Sequence, residues 1–292
     1  MIWLNRMPEP GFDNAGMKGF RTPLLALAGA ICFFFSTASL SEAPPSPQDL
    51  IALYRSRVDR ALAVPADEVG RYRGLAETAL RGAQADLSSA QYLLVVDRDP
   101  KVQAALLFWR SESGEYRFIG ASPVSTGRPG TFDHFETPEG VFVHSPSNPD
   151  FRAEGTFNSN GIRGYGRKGM RVYDLGWQRV PKGWGDGATI DMRLQMHATE
   201  PDSLEHRLGS AQSKGCVRIP ATLNTLLDHY GVLDAEYERL VADGQAFWVL
   251  KEDRETVADP GRYIVIVDSG LAARAPWTLP PKAPPGAGQK GG

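Results

Sequence analysis

A chain of 292 residues is long enough to bury one sizeable core and a small accessory unit. A net charge of -2 gives no field that would draw nucleic acid or an anionic membrane, and an apolar share of 42% with 23% charged residues is ordinary for a soluble globular protein. The 31 glycines and 22 prolines imply many turns and favour a β-rich body over a helical bundle, and two cysteines leave no disulfide framework.

In chain order, residues 1–16 carry no periodicity. Met17-Lys18-Gly-Phe-Arg21 reads as a second start, followed by an uncharged apolar run over 24–35 that contains Cys32. That run is short for a membrane span and of the length of a signal core, with small residues at Ser36, Ala38, Ser41 and Ala43 for cleavage. Residues 1–43 are therefore expected to be an N-terminal extension and signal peptide, or an anchor if uncleaved. Either way, the rest of the chain lies outside the cytoplasm, in the periplasm or cell envelope. Pro44-Pro-Ser-Pro47 is a linker. Leu50, Leu53, Tyr54, Val58 and Leu62 form a helical stripe, and Val69, Tyr72, Leu75, Ala76, Ala79 and Leu80 form another after a break near Pro65. The expectation over 44–90 is a linker and a helical hairpin packed on the main domain.

From Gln91 the texture changes to strands: 92–97, 104–109, 116–120, 121–126, a strand after Gly140, and 190–196, with closing strands at 246–250 and 263–267. The stretch 151–187 is rich in glycine, aromatic and basic residues and reads as a binding loop or lid. Residues 220–244 read as one helix with a break near Gly231, and 270–292 as a Pro/Gly-rich disordered tail.

The chemistry concentrates at Met196-His197-Ala198 and Ser213-Lys214-Gly215-Cys216-Val217-Arg218. If the apolar run is removed, Cys216 is the one remaining cysteine, set in a tight turn and paired in sequence with a distant histidine, the two parts of a thiol nucleophile and its base. His134, His144, His206 and His229 read as surface or core histidines, and His144 is the one to watch. No His/Cys spacing suits zinc, so neither a metal nor a cofactor is expected.

Over about 92–267 the chain resembles the L,D-transpeptidase family, the YkuD-type catalytic domain. The likeness rests on Val124-Ser-Thr-Gly-Arg-Pro-Gly130, on Thr137-Pro-Glu-Gly-Val-Phe142, and on His197 with Ser213-x-Gly-Cys-Val-Arg218. Two positions depart from the family pattern: Lys214 stands where a histidine is usual, and Ala198 where glycine is usual. The resemblance implies a mainly β (α+β) fold, a YkuD-like β-sandwich over 91–269 with the N-terminal helical hairpin and one helix after the cysteine. It also implies an exported enzyme, here taken as a monomer, acting on peptidoglycan stem peptides.

On that resemblance Cys216 is the nucleophile, its thiolate favoured by an imidazolium partner and by Lys214 and Arg218 nearby. His197 is the base and later acid, with the Ala198 carbonyl orienting its ring. The turn Lys214-Gly215-Cys216 would aim N–H groups at an oxyanion, with Gly215 allowing close approach. Arg218 would clamp a substrate carboxylate or pair with an acid of the protein, Lys214 would contact a carboxylate or stay solvated, and Ser213 would hold the turn through its hydroxyl. The reaction implied is release of the terminal D-alanine through a thioester, then 3→3 cross-linking. Carboxypeptidase or protein-anchoring variants, a silent wall-binding scaffold and a redox role for the lone thiol are the alternatives.

Overall fold

Two β-sheets carry the architecture, and their strand patterns explain why. β1 (Gln91–Asp97), β2 (Ala104–Arg110), β3 (Tyr116–Pro123), β4 (Gly140–Val143) and β9 (Tyr263–Val267) form a five-stranded sheet in the order β3-β2-β1-β9-β4. β5 (Phe151–Arg152), β6 (Arg171–Pro181), β7 (Thr189–Ala198) and β8 (Val217–Ile219) form the second, in the order β5-β6-β7-β8. Both are mixed, because β1 runs parallel to β9 and β7 parallel to β8 while the other neighbours are antiparallel. This computed structural model describes residues 43–280; the expected signal segment over 1–43 (all but its last residue) and the end of the tail lie outside the described residues.

β1 is buried along its whole length, so it has no solvent face and its two sets of side chains feed two cores. Tyr92, Leu94 and Val96 point into a core shared with Leu194, Met196, Val217 and Ile219 of the second sheet, closed by Leu50 and Tyr54 of α1 (Pro47–Arg57) and by Leu223, Leu226 and Leu227 of α3 (Ala221–His229). Leu93 and Val95 point the other way, into a core with Tyr72, Ala76 and Leu80 of α2 (Ala66–Gly82). The fold is thus α+β and mainly β.

Five expectations need correction. The two N-terminal helices do not make a hairpin: α1 and α2 cover opposite faces of the five-stranded sheet, because each apolar stripe finds a different sheet face to bury. Two helices follow the cysteine, α3 and α4 (Ala235–Ala242), since the chain turns at Gly231 in the left-handed region. The 246–250 segment forms turns and not a strand. Within the expected lid, residues 171–181 form β6, the long partner of β7, and the loop proper is the stretch from Ala153 to Met170. The start of the expected disordered tail is also packed: Trp277 sits edge-on to Tyr72 at 5.9 Å, and Arg274 bonds the carbonyls of Gly209 and Leu279.

Candidate active site

The alternation of β7 and β8 decides where the chemistry lies. Met192, Leu194 and Met196 face the inter-sheet core, so Arg193, Gln195 and His197 face the opposite side. On β8, Val217 and Ile219 face the core, and Arg218 shares the outer side with Cys216, the residue just before the strand. The parallel register pairs Met196 with Val217 and His197 with Arg218, which sets Cys216 beside Gln195 and diagonal to His197. Strand rise and spacing give a Cα separation of roughly 8 Å for such a diagonal. Two residues far apart in sequence thereby share one face of neighbouring strands.

Buried polar bonds brace the cysteine turn. Ser213 Oγ donates to the Cys216 carbonyl at 2.6 Å and accepts the Gly215 N–H at 3.1 Å. Thr137 Oγ1, fully buried, donates to the Gly215 carbonyl at 2.7 Å and accepts the Gly127 N–H at 2.8 Å. Ser125 and Arg218 exchange two main-chain bonds of 2.9 Å, and Arg128 N–H donates to the Ser213 carbonyl. The two glycine-bearing motifs therefore form the back wall of the turn. Gly215 has φ +134°, and a Cβ there would run into the Met192 sulfur; one at Gly127 would strike the Phe135 carbonyl.

His197 is buried, and its Nδ1 donates to the Ala198 carbonyl at 2.8 Å. That bond leaves Nε2 as the unprotonated nitrogen, with no partner among the described residues. Burial, then the charge of Arg218, pushes the imidazole down to about 4, so the ring is neutral at pH 7. The Cys216 thiol is half-buried; burial pushes it up, against a hydrogen bond from the Gln195 backbone and the charge of Arg218. The site therefore rests as thiol and neutral imidazole, not as the thiolate–imidazolium pair the sequence suggested. Desolvation disfavours both charges, and the cation expected from Lys214 points elsewhere.

Lys214 Nζ pairs with Asp133 at 2.7 Å, with both side chains largely exposed. Arg218 forms no ion pair with any described acid, and burial lowers its own pKa. The N–H of Gly215 is taken by Ser213, while the N–H groups of Lys214 and Cys216 in this turn have no protein partner among the described residues. Sequence reasoning passed over Tyr165, Gln195 and Asp174. Tyr165 lies edge-on to His197 at 4.8 Å and donates to Gln195 Oε1 at 3.1 Å, while the Gln195 amide donates to buried Asp174 at 3.0 Å. The two-residue alternation of β7 carried the signal for Gln195; Tyr165 comes from the glycine-rich loop, whose path no local pattern sets. Arg163 pins that loop by bonding Glu200 at 2.9 Å and Asp202 at 2.6 Å.

His144 belongs to a different cluster. It is fully buried, with Nδ1 on the Leu233 carbonyl at 2.7 Å and Nε2 on Asp150 at 2.8 Å. Arg171, itself fully buried, bonds Asp150 and Asp234 at 2.7 Å each. Among the described residues no three His, Cys, Asp or Glu side chains gather as a metal site, and no helix is long and apolar enough to cross a membrane.

No family model matches the chain, and no curated protein matches it. Among solved structures, the chain is similar to a point mutant of the helical cell shape determining protein Pgp2 from Campylobacter jejuni, at 10% identity and a TM-score of 0.29. The match covers 80% of this chain and 57% of that one, so the chain spans little more than half the length of its neighbour. A likeness of that degree assigns neither a family nor an activity.

Proposed function

We propose that this chain is an exported cysteine acyltransferase acting on peptidoglycan stem peptides in the cell envelope, an L,D-transpeptidase of the YkuD type. The observation that carries the reading is a half-buried thiol and a buried, neutral imidazole on one face of adjacent parallel strands, with Nδ1 of the ring committed to a carbonyl and Nε2 left open. In this reading Cys216 Sγ attacks the carbonyl of stem residue three as its proton passes to His197 Nε2. The oxyanion draws on the Cys216 N–H, and the proton then moves to the departing amine of the terminal D-alanine, leaving a thioester. Attack by an acceptor amine breaks the C–S bond and returns the proton to sulfur through His197. A neighbouring stem gives a 3→3 cross-link, water gives a carboxypeptidase outcome, and a protein lysine gives anchoring. Arg218, a cation with no acid partner beside the thiol, is assigned to a carboxylate of the donor.

Incubation with a carbapenem followed by mass spectrometry tests the reading. The wild type should gain one adduct on Cys216, and Cys216→Ala none. A folded wild type that gains none would leave the silent scaffold as the better account. Muropeptide profiles with and without the protein would then name the acceptor.

A further inference from the structure

Six large hydrophobic side chains are exposed among the described residues, and three of them, Phe157, Tyr165 and Trp248, converge on one cleft of about 580 Å³. Phe157 is 61% exposed and Trp248 73%, although rings of that size are normally spent in a core. Phe151 lines the cleft, edge-on to Tyr165 at 5.4 Å, and Tyr165 in turn packs edge-on with His197 at 4.8 Å. The cleft therefore adjoins the candidate catalytic pair through a shared ring. Its volume is that of a small-molecule site and exceeds what a lone ion or ammonium group would fill.

The charges around it select the ligand class. Arg163 is committed to Glu200 and Asp202 and lies over the Phe157 ring at 4.3 Å. Arg152 is committed to Asp228 at 2.9 Å and to the Gly169 carbonyl. No lining cation is left to hold an anion. The polar groups that remain are the exposed Glu154 carboxylate, the Thr156 hydroxyl and the Asn158 amide, whose oxygen already accepts the N–H groups of Asn160 and Ile162 and whose NH2 stays available to donate. Exposed aromatic faces rimmed by a hydroxyl, an amide and one carboxylate, all able to pair with sugar hydroxyls, suit a ring with an apolar C–H face and a hydroxyl edge. An apolar peptide side chain would leave that polar rim unused.

We infer that this cleft binds a saccharide, seating a sugar ring of the polymer on Trp248 and Phe157 beside the thiol. The inference rests on the proposed function for its choice of sugar, a β-1,4-linked amino-sugar strand. The test titrates a β-1,4-linked N-acetylglucosamine tetramer into the full chain, read by calorimetry and tryptophan fluorescence, with carbapenem acylation of Cys216 followed by mass on the same wild-type protein. Saturable binding is expected, weakened about tenfold or more in Trp248→Ala and in Phe157→Ala, a change of ~1.4 kcal/mol. Both side chains are exposed, so melting temperatures should hold, and an α-1,4-linked glucose tetramer should bind at least about tenfold more weakly. No binding at millimolar tetramer, or equal binding by both variants, would overturn the inference, as would tighter binding of an apolar tripeptide. If the tetramer fails to bind while Cys216 is still acylated, the cleft assignment alone falls. Binding with an unreactive Cys216 would instead support the cleft and remove the acyl-transfer reading.

Discussion

His144 and His197 are both buried near a strand end, yet their surroundings drive them in opposite directions. Burial works against the charged form of each ring. At His144 that penalty is outweighed by Asp150, through its charge and its hydrogen bond, and by Asp234, so its pKa rises. Both ring nitrogens face acceptors, the arrangement an imidazolium satisfies with two N–H donors. At His197 nothing outweighs burial; Arg218 adds to it, and one carbonyl fixes one nitrogen. The first ring is held structurally between two acceptors that favour its protonated form, and the second keeps a lone pair. Equal burial is therefore no guide to role; the count of acceptors around the ring is.

Exchanging either ring tests that contrast. His197→Ala should slow acylation of Cys216 by about 10²–10⁴, the usual contribution of a positioned base, in a timed mass-spectrometric assay. His144→Ala should leave that rate within about threefold while lowering the unfolding midpoint; a comparable rate loss in both would erase the distinction. Next comes the cluster around His144. Arg171→Met strands Asp150 and Asp234 in the interior and should cost about 3–5 kcal/mol in urea unfolding, as breaking a buried pair does. Loss of less than about 1 kcal/mol would mean the cluster is dispensable.

The pH dependence separates the two rings by sign. His144 has a folded pKa above its unfolded value near 6.5, so its contribution is fully present below that pH and is lost as pH rises through the folded value. His197 has a folded pKa of about 4, so the unfolded chain takes up its proton first and stability is lost as pH falls from about 6.5 toward 4. Comparing wild type with His144→Gln and His197→Gln across pH 4–9 should flatten the alkaline limb in the first and the acid limb in the second. The smallest effect belongs to Lys214→His. An exposed pair with Asp133 is worth about 0–1 kcal/mol, so stability should shift by no more than that and acylation should stay comparable or rise. Complete loss of acylation would give the lysine a specific role.

Legibility in the sequence followed the range of the physics. Alternation in 190–196 was enough to foresee β7 with His197 at its end, and the run 92–97 to foresee β1, because side-chain direction along a strand is a local property. The hairpin expected of α1 and α2 failed for the opposite reason: a helical stripe says that a face is buried and not against what. β6 hid inside 151–187 because Arg171, Asp174 and Arg179 break its apolar pattern, and Arg171 is tolerated there only through acids that come from Asp150 and Asp234, remote in the chain. The resting charge of the Cys216–His197 pair was equally out of reach, since desolvation depends on what the Ala153–Met170 loop lays over the sheet. The same holds for Lys214, whose partner Asp133 lies on another loop.

The position of α1 and α2 has a bearing on dissection of the molecule. Each caps one side of the sheet that contains β1, and Trp277, from the far end of the described chain, rests on Tyr72 of α2. Residues 47–82 are thus the two slices of a clasp and not a detachable appendage. A version beginning at Gln91 would bare two oily sheet surfaces at once, and should be recovered as aggregate even though every residue of the candidate active site is still present.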